Sequence, residues 1–397
     1  MHILIISDAY PPMRTSCAIQ IYDLAQAFLE QGHQVSVIIP AHSQKNVVEI
    51  SNLDGPTVFS VRCFKTKDVS YLRRTLAEFI NPFLIGFHLK RNTNFIGQKI
   101  DGITWYSPTI FWGPLVKQLK EQFKCKAYLI LRDIFPDWAF DLGIIRSQII
   151  FRLFKYVANY QFTVANLIGA QSPKNIPYLK MYYPVTLDKL EILWNWKAVS
   201  RRRKYLIDLE KTLLSGKFIF VYAGNLGSAQ GIEVLIDLAT SFKVHNDTGF
   251  LFIGRGSEKQ RLERKSIERG LKNILFLDEI EPEALMGLLE QCQVGLIALN
   301  PNHKTHNIPG KFLAYMDAGL PVLGLINPNN DLIEIIDKNS VGLTSSTFDN
   351  YIFYGNALKM IEIVKSDHNI KDRCKNILTE NFSALRASKQ ICNYFNN

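Results

Sequence analysis

Short apolar runs alternate along the chain with longer stretches in which apolar residues recur every three to four positions. The first run is His2-Ile3-Leu4-Ile5-Ile6, followed by the polar, proline-bearing Ser7-Asp8-Ala9-Tyr10-Pro11-Pro12. From about Ala18 to Glu30, Ile21, Leu24, Ala25 and Phe28 share one helical face, Gly32-His33 ends the stretch, and Val35-Ser36-Val37-Ile38-Ile39 is the next run. Strand, one-sided helix and second buried strand make a βαβ unit, which predicts a parallel sheet covered by helices on both faces. Residues 58–63, 103–107, 127–131 and 167–172 continue the strand pattern, and 192–196 begin a crossover. The second half repeats the design at 218–223, 250–253, 274–277, 294–299 and 322–326. The expectation is an α/β chain of two Rossmann-like, doubly wound domains, 1–195 and 196–379, with a last helix over 380–397.

Composition fits that picture. The 397 residues are 47% apolar and 12% aromatic, enough for two packed cores. Six scattered cysteines form no C-x-x-C pair, so neither a zinc module nor a disulfide framework is expected, and a reducing cytosol is the natural compartment. The first residues lack the basic region and cleavage site of a signal peptide, and no apolar run reaches the ~18–20 residues of a membrane span.

Charge adds a partner. The net +10 is concentrated early: residues 1–190 hold 21 Lys+Arg against 13 Asp+Glu. Nucleic acid, an anionic membrane face or a phosphate-bearing substrate would each suit this excess, and no nucleic-acid-binding motif is present. The 71–91 segment sets large aromatics between Arg73-Arg74 and Lys90-Arg91. It reads equally as a membrane-surface contact and as a buried helix with basic ends.

Candidate chemistry sits at strand ends, where open α/β sheets bind ligands. The loop after the first strand, with Arg14, Thr15 and Ser16, is one such place. Arg132, Asp133 and Asp137 end a buried strand, where ionisable groups must be paired or wet. Either Arg132 and Asp137 pair to shape the loop, or one of the two carboxylates acts as base toward an acceptor hydroxyl. Gly224-Asn225-Leu226-Gly227 and Gly254-Arg255-Gly256 are glycine turns between strand and helix, where a backbone can approach a phosphate. In Thr305–Gly319 (305–319), Asn307 is the expected cap, Pro309 the first-turn residue and Gly319 the left-handed stop. Lys311 is out of place there: a first-turn cation opposes the helix dipole unless an anion binds beside it. The run Arg201-Arg202-Arg203-Lys204 reads as a solvated linker.

Several pieces together resemble family-4 glycosyltransferases of the GT-B fold, over essentially the whole chain. They are Tyr10-Pro11-Pro12, Gly32-His33-x-Val35, Ala223-Gly224-Asn225-x-Gly227-x-x-Gln230-Gly231, Gly254-x-Gly256-x-Glu258, Pro309-Gly310-Lys311 and Tyr315-Met316-x-Ala318-Gly319-x-Pro321-Val322. The wording around Thr305-His306-Asn307 is similar to bacterial O-antigen and capsule N-acetyl-L-fucosamine transferases.

The resemblance implies two domains facing a cleft, the first holding the acceptor and the second the nucleotide sugar, with a last helix (stripe Phe382, Leu385, Ile391) crossing back. It implies a UDP-sugar donor, a polyprenyl-diphosphate-linked sugar acceptor, the cytoplasmic membrane surface as workplace, and no cofactor or metal. Gly224, Asn225, Gly227, Gln230, Gly254, Gly256, Glu258, Glu279, Thr305, Asn307, Pro309, Gly310 and Lys311 would form the donor site. His306 would contact sugar or phosphate, and Arg132, Asp133 or Asp137 the acceptor. Two glutamates usual in the family are replaced by His306 and Ala314, and the Arg and Lys of its glycine turn by Asn225 and Gln230. Phosphate charge would then fall on Lys311 and backbone amides, and ribose on Glu279 or Asp317. The rivals are a UDP-sugar epimerase on the same fold and a non-catalytic nucleotide-sugar-binding partner.

Overall fold

The computed structural model describes residues 1–13, 15–52, 55–200, 203–227, 230–299 and 308–396. They form two compact units. The first comprises the described residues of 1–198 joined by the last helix, and the second those of 199–299 and 308–383.

In the first unit the strands are β1 (His2–Ile6), β2 (Gln34–Ala41), β3 (Val48–Asn52), β4 (Thr57–Arg62), β5 (Gly102–Ser107), β6 (Lys126–Leu131), β7 (Leu167–Ala170) and β8 (Leu190–Ile192). Their order is β3-β4-β2-β1-β5-β6-β7-β8, parallel throughout except for β3, which runs antiparallel to β4. Sequence order reverses between β1 and β5, which leaves a crevice beyond their carboxyl ends. Apolar side chains fill both faces of the central strands, as a doubly covered parallel sheet requires.

The helix Ser16–Glu30 begins where Thr15 accepts a hydrogen bond from the Ala18 N–H. Tyr71–Leu89 buries Ala77, Asn81, Ile85 and Leu89 but leaves Leu72, Leu76, Phe79, Phe83 and Phe87 exposed. One face is thus packed, as the helix reading expects, and the other is exposed. Gln148–Val164 likewise exposes Ile149, Ile150, Leu153 and Tyr156. Both helices pack on Gly113–Phe123, and Phe111 meets Phe79 and Phe154 edge-on, which ties the two exposed faces into one layer.

The second unit holds β9 (Phe218–Ala223), β10 (Thr248–Ile253), β11 (Ile274–Leu277), β12 (Val294–Ala298), β13 (Val322–Leu325) and β14 (Gly342–Ser345), all parallel. Their order is β11-β10-β9-β12-β13-β14, so the reversal falls between β9 and β12. Those two strands pair only at Val294–Phe220 and Gly295–Val221. The buried Tyr315 hydroxyl lies between them, accepting from the Ala223 N–H at 2.9 Å and donating to the Val221 and Leu296 carbonyls at 3.2 Å.

Two expectations change. The last helical stretch is not continuous: Ile370–Asn381 ends in the second unit, where Phe382 packs on Phe312. A new helix, Ala384–Asn396, then packs on Ser16–Glu30 through Ala384, Ala387, Ser388 and Ile391, while Leu385 is exposed. The basic run after residue 200 is also more than solvated. Arg203 pairs with Glu290, and Lys204 lies 2.8 Å from Glu283 and 3.5 Å from Glu281. Arg201 and Arg202 lie outside the described residues.

Candidate functional site

The β9/β12 reversal is built around Lys311. Its helix, Gly310–Ala318, has Pro309 as cap residue rather than inside the first turn, and ends at Gly319 with φ 71°. Lys311 and Tyr315 stand four residues apart on one face, so the hydroxyl that pins β9 to β12 also places the lysine beside β9. Its Nζ donates to the Tyr222 hydroxyl at 2.6 Å and lies 3.9 Å from the centre of the same ring. The Tyr222 hydroxyl in turn donates to the Asn225 carbonyl at 2.9 Å. Among the described residues no carboxylate comes within ion-pair distance of Lys311. Burial without a counter-charge pushes its ammonium down to about 7.

The two glycine turns divide the labour differently from expectation. Gly224 has φ 142°, and a Cβ there would lie 3.4 Å from Lys311 Cε. Gly254 and Gly256 instead serve backbone packing: a Cβ would fall 2.0 Å from the Gly224 carbonyl oxygen and 2.3 Å from the Leu226 backbone. Hydrogen bonds from Gly224 N–H to Ile253, Leu226 N–H to Arg255 and Glu258 N–H to Leu226 stitch the second turn beneath the first. Gly227 lies against the side chain of Asn225, and the Gln230 N–H bonds the Gly227 carbonyl at 3.1 Å. Gly310 faces open space.

Glu258 is engaged by Arg261 at 2.6 Å, and Glu279 by Arg255 at 3.0 Å. Of the two ribose candidates, Asp317 is removed: it is buried and accepts the Ser200 N–H at 3.2 Å. Glu279 remains near half-exposed at the end of β11. Thr305, His306 and Asn307 lie outside the described residues, as does Arg14.

In the first unit, Arg132 does not pair with Asp137. Its guanidinium donates to the Tyr106 hydroxyl at 2.7 Å, to Gln20 Oε1 at 3.0 Å and to Ser16 Oγ at 3.3 Å, with Asp133 at 4.0 Å. Ser16 is thus held by Arg132, and Thr15 by its helix cap. Asp137 is buried, and both its oxygens are taken. Tyr178 donates to one at 2.6 Å, Tyr183 to the other, and Lys155 lies 3.6 Å away. A carboxylate so enclosed is a structural anchor, which overturns its candidacy as base and leaves Asp133, one-third exposed.

Sequence reasoning missed Tyr222 and Tyr106, the partners of the two site cations. A tyrosine inside an apolar strand gives no signal beyond its hydroxyl, which when buried needs a partner.

Residues 207–349 match the family model described as glycosyl transferases group 1. Over 339 residues, 80% of this chain and 82% of the relative, the sequence is 22% identical to WcaI of Escherichia coli (strain K12), provisionally described as a colanic acid biosynthesis glycosyl transferase. Among solved structures, sucrose-phosphate synthase of Thermosynechococcus elongatus superposes with a TM-score of 0.74 at 14% identity, over 100% of this chain and 98% of that one. Anabaena HepE (Alr3699) in complex with UDP gives 0.69 at 14% identity, over 100% of both chains.

Proposed function

We propose that this chain, a group 1 glycosyltransferase of the GT-B fold, moves a sugar from UDP to a polyprenyl-diphosphate-linked saccharide during synthesis of a bacterial surface polysaccharide. The observation that carries the reading is Lys311 at the β9/β12 reversal, partly buried with no carboxylate within ion-pair distance among the described residues, in the first turn of its helix and against the Gly224 turn. Such a cation is costly to hold unless an anion meets it, and a nucleotide-sugar diphosphate is that anion. The UDP-bound HepE structure supports the choice of nucleotide. The relation to WcaI supports the polysaccharide setting. The residues around 305–307 favour an N-acetylated 6-deoxyhexose such as N-acetyl-L-fucosamine as the donor sugar.

In the reaction the acceptor hydroxyl forms a bond to the anomeric carbon while the sugar–phosphate bond breaks, and UDP departs with the electron pair. Charge grows on the diphosphate oxygens, where protonated Lys311 and the N–H groups of Asn225, Gly227 and Gly310 act most strongly. Asp133 orients the acceptor hydroxyl and takes the proton that its oxygen loses as the new bond forms. The exposed faces of Tyr71–Leu89 and Gln148–Val164 hold the enzyme at the membrane where the acceptor resides. The test is a panel of UDP-sugars offered with a bacterial membrane extract, with mass analysis of the lipid fraction. A lipid product heavier by one N-acetylated deoxyhexose is expected. An epimerised UDP-sugar released without acceptor, or UDP binding with no turnover on any acceptor, would refute the proposal.

A further inference from the structure

The first unit has a reversal of its own, between β1 and β5, and a partly open pocket lies there. Asp8 enters it from the end of β1, Thr109 and Trp112 from the segment after β5, and Arg74 and Glu78 from the inner face of Tyr71–Leu89; Lys67 closes one side. The crevice at a reversal is where parallel sheets bind small polar ligands.

The lining separates into groups already engaged and groups left open. Glu78 accepts from Arg74 Nε at 2.6 Å and from the Thr109 hydroxyl at 2.9 Å, which fixes the floor. Three groups are not spent in this way. The Trp112 indole N–H is buried, 3% of the residue being exposed, and has no hydrogen-bond partner among the described residues. The Asp8 carboxylate lies within reach of the Arg74 charge but has one weak hydrogen-bond donor among the described residues, the Cys17 thiol at 3.5 Å. Burial and then the Asp8 charge push that thiol up to about 12, so it remains a donor rather than a second anion. Among the described residues the Lys67 ammonium meets only the Met13 sulfur, at 4.0 Å. A buried N–H left without a partner is costly, and the cost is relieved when a ligand oxygen fills the space.

One acceptor, one neutral donor and one cation around a closed floor match a sugar carrying a phosphate: hydroxyls for Asp8, a ring or hydroxyl oxygen for Trp112, phosphate oxygens for Lys67. We propose that this cavity seats the polar head of the acceptor, a saccharide joined to a diphosphate, with Asp8 and Trp112 reading the sugar and Lys67 the phosphate. The assignment rests on the glycosyltransferase reading for its ligand class, but it concerns residues outside the Lys311 site and outside the Arg132–Asp133 pair.

The experiment titrates the full chain with three short-chain probes: citronellyl diphospho-N-acetylglucosamine, citronellyl diphosphate without sugar, and methyl N-acetylglucosaminide. UDP is titrated in parallel. The wild-type chain should bind the first probe most tightly. Lys67→Ala should weaken both diphosphate probes about tenfold, and Asp8→Asn and Trp112→Phe the two sugar-bearing ones, with UDP affinity unchanged throughout. No binding of any probe by the wild-type chain, variants that bind like wild type, or variants that lose UDP together with the probe would each overturn the assignment. Transfer with an unaltered acceptor KM in all three variants would defeat it while leaving the proposed function standing. Variant-sensitive probe binding without transfer to any lipid-linked sugar would do the reverse.

Discussion

At the scale of single residues, the molecule treats two ion-forming groups withdrawn from solvent, one buried and one partly so, in opposite ways. Asp137 is surrounded: two tyrosine hydroxyls and Lys155 satisfy it in place. Lys311 has a hydroxyl, a ring and no carboxylate among the described residues. Its folded pKa lies near 7, below the ordinary lysine value, so between about 7 and 10 the folded chain binds fewer protons than the unfolded one. Stability should therefore rise with pH across that window, the cost being fully present below it. Lys311→Met should raise stability at pH 6 and flatten the dependence, which denaturant titration at several pH values would read. Ligand binding runs the other way, because an anion needs the protonated form. UDP-sugar affinity should fall from pH 7 to 9 by up to about tenfold per unit, with a proton taken up on binding, and Lys311→Ala should abolish the slope. Calorimetry in buffers of different ionisation enthalpy measures both, and a pH-independent affinity would remove the diphosphate from Lys311. Asp137→Ala should cost about 3 kcal/mol of stability, since it strands Lys155 and two hydroxyls, and activity should fall only as the folded fraction does. The oddity of Lys311 was legible in the sequence, because a first-turn cation contradicts the helix dipole. The difference between Asp133 and Asp137 was not, because the tyrosines that decide it lie 41 and 46 residues further on.

At the scale of elements, sequence pattern located what is buried and lost what is half-exposed. The central strands were legible because a covered parallel sheet makes them continuously apolar. β3 was missed: it is an edge strand whose Glu49, Ser51 and Asn52 read as loop. β8, with three residues, is too short for a period to register. The final helix was read through its own break, because the apolar stripe continues across Phe382 and Ser383 although the two sides pack on different units. Glycines show the same limit, since a strand-to-helix turn announces them without saying what each is for. Gly254→Ala would drive a methyl into the Gly224 carbonyl at a φ of 146°, where side chains are strained. It should destabilise the second unit by about 2–3 kcal/mol and weaken UDP binding with it. Gly310→Ala meets nothing within 4 Å among the described residues and enters a helix's first turn, so thermal stability should hold or rise. If a diphosphate approaches there, UDP affinity alone should drop. Equal losses of stability in the two variants would refute the division between a supporting turn and a contacting one.

At the scale of the whole molecule, the basic excess and the exposed apolar faces belong to the same unit. No helix among the described residues is long and apolar enough to cross a membrane, yet Leu72, Leu76 and Phe83 stand exposed on Tyr71–Leu89, with Arg73, Lys90 and Arg91 beside them. Gln148–Val164 adds Ile149 and Leu153 with Arg152 in the same helical layer. Apolar side chains alone would invite self-association, and basic ones alone would hold a membrane only weakly. Together they suit a surface lying in the headgroups, each basic residue near an anionic leaflet adding roughly 1 kcal/mol. Binding to vesicles containing anionic lipid should therefore weaken as salt rises from about 0.1 to about 1 M, which shortens the screening length from about 10 to about 3 Å. A residual, salt-resistant part should remain and should be lost in a Leu72→Ser, Leu76→Ser, Phe83→Ser variant, whose substitutions lie on the solvent side of the helix and leave the core intact. UDP affinity in that variant should be unchanged, while transfer to an acceptor embedded in vesicles falls and transfer to a short-chain, water-soluble acceptor does not. That last pair of rates separates a surface that brings the enzyme to its lipid from one that takes part in the reaction itself. Equal losses on both acceptors would place these residues in the acceptor site, and equal retention would leave the apolar face without a membrane role.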